Sequence, residues 1–398
     1  MKLLSDIDIT DKVCLTRVDL NSPLDDDKNI IDATRIKAHA ETIKYIADRN
    51  GKVVVIAHQG RPGSVDFSSL APHATKLQNI LGSNYNVDFI PYAYGSEVES
   101  RIKAMKGGEI LVLENVRSIN EEMIDRPANE HAKEPYIQSL ARVGQIFVND
   151  AFSAAHRSHA SLVGFTVMMP SAAGLIMERE VLNLQRVIDN PVKPCVFILG
   201  GIKPEDSFKV AEHVLVNNVA DSVLTGGAVS QLLLIAMEKP LGKPTMDFLD
   251  KRKLLQFLEV AKKLYNQFSN QIEAQIDFAV DEGGRKIYSL GNLPLKTSIL
   301  DIGDQTIQKY TEIIETASTI VLNGPMGKFE DFGFDKGTLA IFKAMEKSNG
   351  FSLAGGGHSV SIIEKYNIKL SYVSTAGGAM IQFLMGTPLP AIKALNPD

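Results

Sequence analysis

The sequence predicts an α/β protein of two doubly wound, Rossmann-like parallel-sheet domains, joined by a hinge and a connecting helix. Three observations predict it. Short unbroken apolar runs alternate with segments of helical period, most runs end in a polar or glycine-rich turn, and 398 residues exceed one average domain. Apolar runs without polar alternation are the pattern of parallel strands covered on both faces.

In the first half the runs fall at residues 13–15, 53–57, 110–113 and 146–148. Between the first two, Ile36, Ala40, Ile43 and Ala47 recur at helical spacing, which predicts a helix over 34–48. The domain division is expected near Pro170, Ser171, Ala172, Ala173 and Gly174. Met177, Val181, Leu184 and Ile188 then mark the connecting helix, and Asn190 with Pro191 ends it. In the second half the runs fall at 195–199, 222–224, 319–322, 351–354 and 372–374. The expected domains are therefore 1–170 and 171–380.

A hydrophobic fraction of 44% and a charged fraction of 22% exclude a disordered, collagenous or coiled-coil chain. The net charge of −5 argues against nonspecific nucleic-acid binding, which needs surplus cations. Cys14 and Cys195 each lie inside an apolar run, match no metal or redox spacing, and read as core residues. The N-terminus turns polar too soon for a signal peptide, and no apolar stretch approaches the ~20 residues of a membrane span. A cytoplasmic protein without membrane or nucleic-acid partners is expected.

Ligands of open parallel sheets bind beyond the carboxyl ends of the strands. In the first half those ends carry cations and hydrogen-bonding groups. Arg17, Asp19 and Asn21 follow the first run, His58 and Arg61 the second, Asn115 and Arg117 the third, and Asn149 and His156 to His159 the fourth. Arg35 opens the first helix on the same edge. Guanidinium groups pair bidentately with phosphate and carboxylate, so the set suits a small multiply anionic ligand. His156 and His159 lack a carboxylate or thiol partner at motif spacing, which argues against a metal site there.

In the second half the ends carry glycines: Gly200 and Gly201, Gly226 and Gly227, Gly324 and Gly327, Gly355 to Gly357, then Gly377 and Gly378. Glycine permits close backbone approach, and the helix N-terminus that follows offers N–H groups to phosphate. Neither G-x-x-x-x-G-K-[ST] nor G-x-G-x-x-G occurs, which excludes a P-loop kinase and disfavours a nicotinamide-dependent oxidoreductase. Lys203, directly after a glycine turn, is placed to neutralise a phosphoryl group in flight.

In order along the chain, RVDLNSP (17–23), HQGRP (58–62), LENVR (113–117), NDAFSAAHRSH (149–159), PSAAG (170–174), GGIK (200–203), NGPMG (323–327) and STAGGA (374–379) resemble the phosphoglycerate kinase family. The resemblance covers nearly the whole chain, and its strength lies in the order and spacing of the fragments. It implies a hinge-bending enzyme that moves a phosphoryl group between 1,3-bisphosphoglycerate and ADP, with Mg²⁺ carried on the nucleotide. By residue matching, Asp19, Asn21, Arg35, His58, Arg61, Arg117 and Arg157 would bind phosphoglycerate. Gly200, Gly201, Gly226, Gly227, Asn323, Pro325, Glu330, Gly355, Gly356, Gly357 and His358 would hold the nucleotide, Glu330 at the ribose. Lys203 and Arg35, with N–H groups near Gly356 and Gly378, would stabilise the group in transfer.

The last helix, 381–398, would pack back on the first domain. His358 stands where most members carry a magnesium-contacting Asp, and Ser207 where a second lysine is common, so metal ligation stays unassigned. A catalytically silent binder on this fold would be expected to lack Lys203 or Arg35, and both are present. No general base is evident, and the reaction needs none, because its acceptor carboxylate is already ionised at neutral pH.

Overall fold

The computed structural model describes residues 1–396. The chain falls into two compact units, Met1–Leu182 with the described part of Pro388–Asp398, and Asn183–Thr387.

The first unit is built on strands β1 (Val13–Arg17), β2 (Lys52–Ile56), β3 (Val87–Phe89), β4 (Ile110–Val112), β5 (Ile146–Asn149) and β6 (Ser171–Ala173). They form one parallel sheet in the order β3-β4-β2-β1-β5-β6. Successive strand residues face opposite sides of a sheet. Cys14, Val53, Val55, Val112 and Val148 pack into one apolar cluster, and Val13, Leu15, Val54, Ile56 and Phe147 into the other. Both faces are buried, which is why β1, β2, β4 and β5 read as apolar runs. Helix Thr34–Ala47 covers the first face with Ile36, Ala40, Ile43 and Ala47, the stripe that its spacing predicts.

The second unit begins with β7 (Cys195–Leu199), β8 (Ser222–Thr225) and β9 (Ile272–Glu273). A small antiparallel sheet follows: β10 (Asp277–Asp281), β11 (Arg285–Ser289) and β12 (Ile299–Ile302), in the order β11-β10-β12. Then come β13 (Thr319–Asn323), β14 (Phe351–Gly355) and β15 (Tyr372–Ser374), which complete a parallel sheet ordered β15-β14-β13-β7-β8-β9.

Register aligns the strand ends. Arg17 pairs beside Ile56 and Asn149 in the first sheet. In the second, Leu199 lies beside Thr225 and Asn323, Asn323 beside Gly355, and Gly355 beside Ser374. The turns of each sheet therefore leave from one edge. The strand order reverses between β1 and β5 and between β7 and β13, where doubly wound sheets open a ligand crevice.

Three expectations need correction. Residues 171–173, read as the domain division, are edge strand β6, and the division falls inside helix Leu175–Ile188. Ser-Ala-Ala lacks the β-branched and aromatic signature of a strand. The antiparallel sheet has no counterpart in the sequence reading, because β11 is a largely exposed edge with no apolar run. The last segment is not one helix from 381 to 398. Helix Gly377–Leu384 stops just before Gly386 (φ 70°), and after Pro388 a separate helix, Pro390–Leu395, starts on Pro390. Pro397 and Asp398 lie outside the described residues. Among the described residues no helix is long and apolar enough to cross a membrane.

Candidate functional site

The carboxyl edge of the first sheet gathers the predicted cations around one buried arginine. Arg17 ends β1 and is 1% exposed. Its Nε donates to Ser161 Oγ at 2.8 Å and its Nη2 to His58 Nδ1 at 3.1 Å. A guanidinium cannot accept, so Nδ1 must, and the proton of a neutral His58 sits on Nε2. Burial, then Arg17, with Arg117 and Arg157 adding less, hold the His58 pKa well below its usual value against an opposing pull from Asp19. His58 is thus a neutral donor at neutral pH.

Asp19 supplies the counter-charge. It accepts from Arg35 Nη1 at 2.6 Å, from Ser153 Oγ and from the Asn21 N–H at 3.0 Å. Burial would raise its pKa, but the Arg35 guanidinium and the Ser153 hydroxyl hold it far below the usual carboxylate range. The turn after β2 is pinned by Asn21 Oδ1, which accepts from the Gly60 N–H at 2.8 Å, and by Arg117 Nη1, which donates to Gly60 O at 2.5 Å.

Arg117 is pushed down to about 10, by burial first and then by Arg157, Arg17 and Arg61. Arg157 is lowered in the same way, by burial and by Arg61 and Arg17. Four guanidiniums repel one another here. The side chains of Arg61 and Arg157 make no hydrogen bond or ion pair among the described residues. Such a cluster is completed by an anion that pairs with several forks at once. The structure brings Asp19, Asn21, Arg35, His58, Arg61, Arg117 and Arg157 to this edge together. At their centre it puts Arg17, one of the predicted strand-end cations, which residue matching had left out of the ligand set.

At the second sheet's edge the turns are knitted to one another. The N–H of Gly200 donates to Asn323 O at 2.9 Å, that of Gly201 to Pro325 O at 2.7 Å, and that of Gly227 to Met326 O at 2.8 Å. A Cβ on Gly200 would lie 2.2 Å from Pro325 O, and one on Gly226 would lie 2.7 Å from Met326 Sδ. These glycines serve the contact between turns first, and their N–H groups are already engaged.

Gly356 and Gly357 differ. Gly356 has a φ of 92°, and a Cβ on Gly357 would meet nothing within 4 Å. Helix Gly357–Tyr366 starts there, and Gly377, opening helix Gly377–Leu384, would bring a Cβ to 3.6 Å from Gly356 Cα. Two helix N-termini, each with unpaired first-turn N–H groups and a partial positive charge, thus end side by side.

A cavity of about 630 Å³ is lined by Gly201, Gly227, Pro325, Lys328, Glu330 and His358 among others. That volume suits a ligand of nucleotide size. The exposed His358 ring packs against Phe329, with centroids 5.4 Å apart. Phe248, Lys251 and Arg252 also line the cavity, and sequence reasoning missed them, since the basic pair looks like a solvated helix face. Gly200, Gly226, Asn323 and Gly355 to Gly357 are not part of its wall. Lys203 is exposed at the start of helix Pro204–Val216, makes no hydrogen bond or ion pair among the described residues, and is not part of that wall either. No group of three His, Cys, Asp or Glu side chains among the described residues could hold a metal ion.

Residues 4–387 match the family model described as phosphoglycerate kinase. The chain is 44% identical over 397 residues to the phosphoglycerate kinase of Methanobacterium bryantii, covering 99% of this chain and 96% of the relative. It is 42% identical over 399 residues to that of Pyrococcus furiosus, covering 99% and 97%. The crystal structure of phosphoglycerate kinase from Pyrococcus horikoshii OT3 superposes with a TM-score of 0.90 at 40% identity, covering 99% of this chain and 98% of that one. The phosphoglycerate kinase structure from Coxiella burnetii gives 0.82 at 30% identity, with the same coverage.

Proposed function

The chain belongs to the phosphoglycerate kinase family, and from that premise we propose that it moves a phosphoryl group reversibly between 1,3-bisphosphoglycerate and ADP, giving 3-phosphoglycerate and ATP. The observation that carries this reading is the pairing of chemistries. One unit holds a cluster of guanidiniums short of an anion, and the other a nucleotide-sized cavity walled by glycine turns.

Phosphoglycerate is held by Arg61, Arg117 and Arg157 as forks, by His58 through Nε2–H, and by Asn21 and Arg35, with Asp19 orienting Arg35. The nucleotide occupies the cavity against Gly201, Gly227 and Pro325, with Glu330 toward the ribose hydroxyls and His358 toward a phosphate. No side-chain cluster among the described residues would hold magnesium, so the ion would come with the nucleotide and would supply screening of the phosphate charge. In the ATP-forming direction a terminal ADP oxygen attacks the acyl phosphorus, the bond to the carboxyl oxygen breaks, and 3-phosphoglycerate leaves as a carboxylate. No proton moves, so the chain's task is positioning and charge neutralisation. Lys203, Arg35 and the N–H groups at Gly356 and Gly378 supply the neutralisation. Work in the reducing cytoplasm fits two free, buried cysteines whose thiols burial pushes up to about 12.

A coupled assay with ATP and 3-phosphoglycerate tests the reading. Turnover should saturate in both substrates. Binding of both without turnover would leave a silent binder on the same fold.

A further inference from the structure

We propose that the Arg285–Asp301 ion pair is the clasp that positions the nucleotide-facing loop 327–337, acting through Glu330 and Lys328 without touching the ligand. The proposal rests on the reading of the cavity as the nucleotide site.

Asp301 lies on β12 with its side chain fully buried. Its Oδ2 accepts from Arg285 Nη1 and from the Gly337 N–H, both at 2.8 Å. Gly337 is where the loop enters helix Lys336–Lys347. At the loop's other end the Lys328 N–H donates to Leu300 O, one residue before Asp301, at 2.7 Å. The carboxylate also fills the space between the loop's two ends. A Cβ on Gly327 would lie 2.4 Å from Asp301 Oδ1, and one on Gly337 would lie 2.3 Å from it. Glycine at both ends lets the backbone close on this carboxylate.

Arg285, on β11, reaches the middle of the loop. Its Nη1 donates also to Gly333 O at 3.1 Å and its Nη2 to Ile302 O at 2.7 Å, while the Phe334 ring lies 6.0 Å from the guanidinium. The exit and the middle of the segment are thus tied to the ion pair itself, and its entry to the neighbouring backbone of β12. Between those ties stand Lys328 and Glu330, both on the cavity wall. Other ties are a local Lys328–Asp331 ion pair, the Phe329–His358 ring contact, and, at the loop's exit, a Tyr366 hydroxyl bond to Asp335 and a Lys336–Asp304 ion pair. The outer side carries Phe332, which is fully exposed, so the loop is held from within.

Stability is a poor explanation for this pair. Burial pushes Asp301 up to about 6, even though the Gly337 N–H and Arg285 pull it down. Asp301 Oδ1 and Arg285 Nε have no hydrogen-bond partner. A buried pair that is incompletely satisfied adds little net stability over apolar residues of the same shape, so the geometry that this one imposes on the loop is the better account of it.

The test uses the full-length protein, with Mg-ADP binding by calorimetry, KM for both substrates and thermal unfolding. Arg285→Met should weaken Mg-ADP binding about tenfold, the scale of one charge-assisted hydrogen bond, and raise KM for ATP in step. KM for 3-phosphoglycerate should stay within about twofold, and Arg285→Lys should recover part of the loss. Glu330→Ala should also weaken Mg-ADP binding, and in that background Arg285→Met should cost less than it does alone, because the two share the route through Glu330 and only the Lys328 route remains. Fully additive losses, or an equal rise in both KM values that follows lost thermal stability, would overturn the clasp. So would Glu330→Ala weakening the nucleotide while Arg285→Met does not. If neither variant changes Mg-ADP binding, the cavity is not the nucleotide site and both readings fall together.

Discussion

At the carboxyl edge of the first sheet the charge is carried on side chains. Arg17, Arg61, Arg117 and Arg157 crowd one space, and mutual repulsion together with burial depresses the pKa of Arg117 and Arg157. At the same edge of the second sheet the polarity is carried on the backbone. Glycine turns pack against one another, and two helix N-termini end together at Gly356 and Gly377. One architecture therefore supports two recognition strategies. A side-chain cluster binds an anion strongly because it is strained by like charge until the anion arrives. A backbone site carries no such repulsion, but it needs residues without a Cβ so that the turns can meet.

The sharpest test of that contrast is Lys203, a side-chain cation beside the backbone-built turns. Lys203→Ala should lower kcat by ~10²-fold or more, the scale of losing one preorganised electrostatic group. Near-normal kcat in stopped or coupled assays would show that the backbone alone suffices. Next is Arg157. Its replacement by Ala should weaken 3-phosphoglycerate binding roughly 10- to 100-fold, as for a lost hydrogen bond between charged groups, and leave Mg-ADP affinity unchanged. Calorimetry with each ligand separately decides it, and equal losses for both would mean that the two edges are not distinct sites.

A third test strikes the glycine contact. Gly200→Ala would place a Cβ 2.2 Å from Pro325 O. It should destabilise the second unit by about 1–3 kcal/mol, as overpacking does, with hydrogen exchange in the first unit unchanged. Exchange that rises equally in both units would refute a contact confined to the second.

The smallest expected effect is on the pH dependence of stability, which should have opposite signs in the two units. Asp19 is held below its ordinary value of 3.8 in the folded chain. Its stabilisation is present above that value and lost as pH falls toward the depressed one. Asp301 is raised from 3.8 to about 6. Its term is fully present below 3.8 and lost as pH rises through about 6. Asp19→Asn should therefore flatten the acid limb of unfolding for the first unit, and Asp301→Asn the limb between pH 4 and 6 for the second. Slopes that do not change on substitution would remove both carboxylates from the comparison.

Much of this was legible in one dimension. In a doubly wound sheet the residue after each strand stands at the ligand edge, so finding the strands located both sets of candidate residues. Apolar runs found β1, β2, β4 and β5 because both sheet faces are buried. The same signal failed for β6, which is Ser-Ala-Ala, and for the half-exposed hairpin of β10 and β11. That hairpin carries Arg285, so the clasp on loop 327–337 was invisible as well.

The sequence by itself determined the fold class, the order of the strand-end turns, and which edge carries cations and which carries glycines. Composition and spacing are local properties, and parallel strands translate them directly into position. Only the tertiary structure decided which of those groups are already engaged. Arg17 is held by Ser161, 144 residues further along the chain, and the Gly200 and Gly227 N–H groups by the last residue of β13 and the turn after it. A hydrogen bond spends its donor on whichever acceptor folding brings within reach, and no run of neighbours in sequence records that choice.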